Sequence, residues 1–369
     1  MTAIQTNFPA TFDLLKELTE LSGISGHEEA IRARLIELLT PLTDDVRTDA
    51  LGNVIALKRG TGGAGQPGGQ KLMLAAHMDE IGLVVTKLDR GFLRFTSIGG
   101  INERVLPSQE VTVHGSVLSE SKERRDLPGI VASRPPHVLP PASRKENIPS
   151  SELFVDVGLL PAELAETVSV GDVISIRRET IQLGKDKATG KAFDNRACLT
   201  ALILALRQLQ NVRHAWDIYA VATVQEEIGL RGAVTSTFGV APDVGIALDV
   251  TFADQPGANG DETVAWDKGA AIGLGPNIHP KIHEKLVETA KSNEIPYLVE
   301  VVAGNSGTDA WAMQVTQAGI PTGLVSIPVR NMHTPGETIV LRDIERTARL
   351  LAAFAASLDG DTLENLRLE

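Results

Sequence analysis

Two adjacent carboxylates, Glu226 and Glu227, stop the apolar, β-branched run in VATVQEEIGLRGA at residues 221–233, and glycines follow at once. Other buried-looking runs stop the same way. KLMLAAHMD ends in His77 and Asp79, VGIAL ends in Asp249, and GLVSIPVRNM ends in His333, while Asp194 opens the helical stretch DNRACLTALILALRQL. Imidazole plus carboxylate without thiolate is a ligand set for zinc, cobalt or manganese. These groups are too many for one tetrahedral ion that keeps a water position, but they suit two ions sharing a bridging carboxylate, roughly 3.5 to 4 Å apart. Two such ions lower the pKa of a bound water, and a further carboxylate must then take its proton, so one glutamate of the pair ligates and the other acts as general base. Adjacent strand residues face opposite sides, so the pair works only if the strand has ended and the chain turns at Ile228-Gly229. Asp79, two residues after His77, can lie on the same side and orient its imidazole.

The elements that must carry these residues read as follows. FDLLKELTELSG spaces Leu14, Leu15, Leu18 and Leu21 helically and ends at Gly23. SGHEEAIRARLIELL is a second helix, with Ser25 and Glu28 in capping-box positions and Pro41 closing it. NVIALKR reads as a strand, TGGAGQPGG as a flexible connection and KLMLAAHMD as a strand buried on both faces. From about Leu83 to Arg178 short strands predominate (VVTKL, LRFTSI, EVTVHGSVL, GIVAS, LFVDVG, DVISIRR), broken by the short helix PAELAETV. This is a compact β-rich insertion, with RPPHVLPPASRKENIP at 134–149 as one of its ordered loops. Beyond it, strands alternate with helices, as expected of a mixed, mostly parallel α/β sheet flanked by helices. In such sheets ligands bind beyond the carboxyl ends of the strands, where the residues above collect.

Composition excludes several function classes. A net charge of −12 and a pI near 5.2 offer nothing basic to attract nucleic acid or an anionic membrane, and no apolar run is long enough to span a bilayer. The single cysteine, Cys198, rules out an internal disulfide framework and reads as core on a helix face. MTAIQTNFPATFDLLKEL lacks the pattern of a signal peptide, so a cytoplasmic location is expected.

Competing motifs fail their context. GTGGAG at 60–65 fits G-x-G-x-x-G but leads into QPGGQ instead of a helix, and there is no H-E-x-x-H, Walker A or G-x-S-x-G sequence. Ser306 in AGNSGTDA is therefore not expected to be a nucleophile. Asp194 alone would read as a helix N-cap and Glu226-Glu227 alone as an exposed turn; only the joint pattern argues for a metal centre. His27, His114, His137, His214, His279 and His283 show no such convergence and read as structural.

The set AHMDEIG, FDNRACLTAL, VQEEIGLRGA, ALDVT and NMHTPGE resembles the metallopeptidase family of tetrahedral, twelve-subunit aminopeptidases, which includes glutamyl and deblocking aminopeptidases and members labelled endoglucanase. The resemblance runs through the insertion (GINERVLPSQEVTVHG, GIVASRPPHVLPP, ELFVDVG) and covers nearly the whole chain. It implies a di-zinc exopeptidase-type fold: a catalytic domain over 1–82 and 181–369, with a barrel-like oligomerisation domain inserted over 83–180. It implies that His77, Asp194 and Asp249 hold one metal, that Asp194, Glu227 and His333 hold the other, that Glu226 is the general base and that Asp79 orients His77. It also implies zinc or cobalt, a homododecamer, short peptides with a free N-terminus as substrates, and Thr308 and Asp309 near the substrate's amino terminus. Where the family often carries aromatics, this chain has Asn331 and Ile101, which touches pocket shape and leaves the ligand set intact.

The expected function is metal-dependent removal of N-terminal residues from peptides. The same ligand set would serve an N-acyl-amino-acid deacylase or a carboxypeptidase. A glycoside hydrolase using paired carboxylates is a more remote alternative that leaves His77 and His333 without a role.

Overall fold

The computed structural model describes residues 7–61, 69–116, 125–135, 137 and 148–368. The glycine-rich connection over 62–68 and most of the proline-rich loop at 134–149 lie outside the described residues, so the expectations made for them are not addressed.

The chain opens with helices α1 (Phe8–Glu20) and α2 (Glu29–Leu39), strands β1 (Asp45–Thr48) and β2 (Val54–Lys58), and then β3 (Lys71–His77). The barrel strands follow: β4 (Gly82–Asp89), β5 (Phe92–Ile98), β6 (Glu110–Gly115), β7 (Arg125–Ala132), β8 (Phe154–Asp156), helix α3 (Pro161–Thr167) and β9 (Val173–Ile176). The return passes through β10 (Ile181–Leu183) and β11 (Lys187–Gly190) into α4 (Phe193–Leu209), β12 (Asp217–Thr223), α5 (Arg231–Val240) and β13 (Val244–Phe252). The remainder is β14 (Ala270–Leu274), α6 (Pro280–Ser292), β15 (Tyr297–Val301), α7 (Asp309–Gln314), β16 (Thr322–Arg330), β17 (Glu337–Val340), α8 (Leu341–Ala356) and α9 (Thr362–Asn365).

An 11-stranded sheet runs β1-β2-β12-β3-β13-β16-β17-β11-β10, with β14 on β16 and β15 on β14. Its centre is parallel (β12-β3-β13-β16), and antiparallel pairings flank it, so the fold is the mixed α/β sheet expected from the strand–helix alternation. The central strands are apolar on both faces because both faces are covered. Leu72, Leu74, Ala76, Ile246 and Leu248 meet α1, α2, α4, α6 and α8 on one side, while Met73, Ala75 and Ala247 meet residues of α5 and α7 on the other.

β4-β5-β8-β7-β6-β9 closes a six-stranded barrel with its own core, in which Leu83, Val85, Val111, Val113, Val155 and Ile174 are fully buried or nearly so. Alternation along β6 (exposed Glu110, buried Val111, buried Val113) is the mark of strands with one wet face. The barrel leaves the sheet just after β3, beside His77, and the chain returns to the sheet at β10, reaching Asp194 by way of β10 and β11.

Three local expectations are corrected. Ser25 does not cap α2; its hydroxyl donates to Asp79 Oδ2 at 2.5 Å, and α2 begins after Glu28, whose carboxylate accepts from the Gly26 amide. Donation to a buried carboxylate turns the hydroxyl toward Asp79 and away from the amides of the first turn. Asp249 does not end its strand, since β13 continues to Phe252 along β16. Asp194 and Asn195 open α4 with non-helical backbone angles, and their peptide bond is cis.

Candidate metal centre

Five segments deliver the polar residues to the carboxyl edge of the parallel strands: the end of β3, the start of α4, the turn after β12, the middle of β13 and the loop between β16 and β17. The turn after β12 is built by Gln225 and Leu230 at φ 54° and 56°, with Gly229 at 119°. Left-handed conformations at non-glycine residues cost energy and persist where surrounding contacts enforce them. Here those contacts are visible. Asp79 Oδ1 accepts from the Glu226 amide at 3.0 Å, Oδ2 from the Glu227 amide at 3.2 Å, and Glu28 Oε1 from the Gln225 amide at 3.2 Å. The strand has thus ended, and both glutamates turn inward together.

Asp194 sits between the two imidazoles. Its Oδ1 lies 3.1 Å from His77 Nε2, and its Oδ2 lies 3.3 Å from His333 Nε2. Asp249 Oδ1 and Glu226 Oε2 are each 3.9 Å from His77 Nε2, and Glu227 Oε2 is 3.8 Å from His333 Nε2. Among the described residues, the groups able to hold an ion are His77 with Asp194 and Asp249, Asp194 with Glu227 and His333, and His77 with Glu226 and Glu227, so all of them lie in this cluster.

The donor set fits divalent cations for a physical reason. His77 Nδ1 faces the Asp79 carbonyl at 3.2 Å and His333 Nδ1 faces the Gly100 carbonyl at 3.1 Å, so each Nδ1 must carry the hydrogen. Each Nε2 then faces an oxygen of Asp194, a close contact that is favourable only with a proton on Nε2 or a cation in that proton's place. The rest of the cluster makes the same demand. Burial, with Asp249 and Asp309 nearby, pushes the Glu226 carboxyl up to about 10 against the pull of His77. Burial and the Asp194 charge push Glu227 to about 8, and burial drives Asp249 well above the carboxylate range. Burial also acts against Asp194, yet the hydrogen bonds from His333 and His77 hold it below its ordinary value. The hydrogen bond to Asp194 lifts His333 to about 9. So many buried acids on one spot is an arrangement that bound cations relieve.

Asp79 stands behind His77 Nδ1 and also behind the glutamate turn. Its carbonyl, more than its carboxylate, meets His77, the carboxylate Oδ1 standing 3.5 Å away, while the carboxylate holds Ser25 and the glutamate turn. Thr308 caps α7 and lines the cleft over the cluster. Asp309 does not face that cleft: it is buried, with Oδ2 accepting from Thr223 at 2.6 Å and Oδ1 unpartnered. Asn331, with φ 57°, and His333, with φ 60°, share the loop that turns His333 inward.

One residue of the site escaped notice in the sequence. Buried Glu337, at the start of β17, accepts from the amides of Phe193 at 2.6 Å, Asp194 at 3.2 Å and His333 at 3.0 Å. It ties both ends of the Asp194–His333 contact, and its position four residues after His333 was the available signal. Cys198 is core and donates to the Asp249 carbonyl at 3.0 Å. His114 is bonded to Asp126 and Ser175 on the barrel, away from the cluster. The cleft above the site measures about 550 Å3, and its walls include Gly100, Leu230, Phe252, Val302, Leu324 and Met332.

Residues 52–350 match the sequence profile of the M42 glutamyl aminopeptidase family. A lysyl aminopeptidase of Pyrococcus furiosus is 39% identical over 352 residues, spanning 94% of this chain and 97% of its own. Among solved structures, an aminopeptidase of Desulfurococcus kamchatkensis superposes with a TM-score of 0.89 at 36% identity, covering 98% of this chain and 99% of that one. The TET1 peptidase of Pyrococcus horikoshii, which assembles into a tetrahedron or a large octahedral shell, gives a TM-score of 0.81 at 31% identity, covering 94% and 100%.

Proposed function

The chain belongs to the M42 glutamyl aminopeptidase family and is a metal-dependent aminopeptidase, and we propose that its two overlapping triads hold two divalent ions, zinc or cobalt, with Glu226 as the general base. His77, Asp194 and Asp249 would hold one ion, and Asp194, Glu227 and His333 the other. The observation that carries this reading is Asp194, whose two oxygens each face a different imidazole nitrogen.

When bound, such ions supply Lewis-acid chemistry: a water acidic enough to react near neutral pH and a polarised peptide carbonyl. The chain's own residues do the rest. Glu226, fixed by its amide on Asp79, takes the proton of the attacking water on its carboxylate and returns it to the leaving amine. Asp79 and Glu337 hold the turns that aim the ligands. Peptides with a free N-terminus enter the cleft, with Thr308 on its wall. The N-acyl deacylase, carboxypeptidase and glycosidase readings are not favoured, and a glycosidase leaves both imidazoles idle.

The barrel, within an inserted domain over 83–180, is proposed to serve assembly into a homododecamer. Support comes from the tetrahedral relative and from apolar side chains left on the surface of the inserted domain, such as Leu160 and Val170. A cytoplasmic location is in keeping with a chain in which no described helix is long and apolar enough to cross a membrane.

The deciding experiment measures release of N-terminal amino acids from free and N-acylated peptides, with added zinc or cobalt and after chelation. Metal-dependent release from the free peptides alone is expected. Release from acylated peptides alone would overturn the aminopeptidase chemistry at this site. Light scattering is expected to give a mass near twelve chains of 39.3 kDa.

A further inference from the structure

Acid also lines the cleft away from the metal-binding cluster. Glu300 projects from β15 into the same cleft, beside Thr251 and Ser326. Thr251 donates to Glu300 Oε1, whereas Oε2 is buried and has no hydrogen-bond partner. Burial raises its carboxyl above the ordinary range, with Thr251 and Ser326 pulling the other way. A desolvated carboxylate oxygen without a partner costs stability and is kept where a ligand completes it.

Its surroundings state which ligand. Val302 and Leu324 give the cleft apolar wall, the surface an aliphatic stem covers. The cleft lining holds Asp194, Glu226, Glu227, Asp249 and Glu300 and, among the described residues, neither lysine nor arginine. An acidic side chain seated beside Glu300 would meet like charge, and repulsion of the wrong substrate discriminates as effectively as attraction of the right one. Thr251 also lies two residues beyond Asp249 on β13, so by strand alternation both side chains face the cleft. That sets Glu300 at one side of the proposed reaction centre.

We propose that Glu300, supported by Thr251, forms the subsite for the substrate's N-terminal side chain and selects lysine or arginine, an aliphatic stem ending in a cation. The inference rests on the aminopeptidase reading and goes beyond it, because the acidic preference in the family's description has no cationic counterpart in this cleft.

The test compares kcat/KM for lysyl, arginyl, leucyl and glutamyl anilides in metal-loaded wild type and Glu300→Gln, a variant of the same shape without the charge. Wild type is expected to favour lysine and arginine over leucine by about tenfold and over glutamate by about a hundredfold. Glu300→Gln should lower the lysine-to-leucine ratio at least tenfold, and a ratio within the same protein does not depend on how much of the variant is active. An unchanged ratio, or a wild type that prefers glutamate, overturns the proposal. Calorimetric binding of L-lysinol and L-leucinol, which cannot be hydrolysed, adds a measurement on wild type alone. Tighter lysinol binding with no turnover of any anilide would keep the subsite and sink the aminopeptidase assignment, whereas equal binding would sink the subsite.

Discussion

Glu226 and Glu227 stand next to each other in the chain and face different imidazoles, and the proposed mechanism gives them different work. Glu227 reaches the Asp194–His333 pair, while Glu226 stands 3.9 Å from His77 Nε2 with its backbone held by Asp79. Glu226→Gln keeps the shape and loses the base. The expected result is a fall in kcat of about 10^3-fold, within the range for removing a general base, with metal content by mass spectrometry unchanged. Loss of metal in that variant would make Glu226 a ligand. Glu337 supports a second prediction. It touches no substrate, yet it accepts from the amides of both Asp194 and His333. Glu337→Gln turns one acceptor toward those amides into a donor and should weaken metal binding about 10- to 100-fold, as losses behind metal ligands do. Metal titration reads this directly, and activity restored by excess metal separates it from a fault in the chemistry.

At the scale of elements, the ends of strands were legible in the sequence because β3, β12 and β16 are apolar runs that stop abruptly at polar residues. The helix over 193–209 and the strand-rich insertion were legible too, the first from its apolar length and the second from its repeated turns. What could not be read was which partner a polar residue would choose. Ser25 and Glu28 have capping-box spacing, yet Ser25 is drawn 54 positions away to Asp79 and Glu28 to the turn at Gln225. Local motifs describe local competition, and a buried carboxylate brought in by the fold outbids them. Glu28 carries a pH prediction. Burial first, with the Asp79 charge, pushes its carboxyl up from 4.5 to about 7, against the amide of Gly26. The folded state therefore keeps this proton longer than the unfolded one, so the stability tied to it is complete below pH 4.5 and is lost as pH rises to about 7. Glu28→Gln has nothing to lose over that window. Its melting temperature minus that of wild type should grow from pH 4.5 to 7 and stay level above; a flat difference would show that the buried carboxyl titrates normally.

On the scale of the whole molecule, the same linkage predicts how the protein responds to metal removal. The ligands come from positions 77 to 333 and from five separate segments, so ions bound among them would join β3, α4, β13 and two loops whose carboxylates outnumber their imidazoles. Without ions, Glu227 and Glu337 hold protons up to about 8 and Glu226 up to about 10, because burial and the neighbouring acids disfavour their charged forms. These are raised carboxyls, so the apo protein loses stability as pH climbs from their ordinary value of 4.5 toward 8. Cations cancel that loss by stabilising the charged ligands, and their affinity falls again at low pH where protons compete. Ions in hundredfold excess over their dissociation constant add about 2.7 kcal/mol per site. Chelation should therefore lower the melting temperature, more at pH 8 than at pH 6, with zinc or cobalt restoring it. A melting temperature indifferent to chelator at both values, in protein shown to be metal-free, would mean that the carboxylates of this edge reach their charged state by some means other than bound cations.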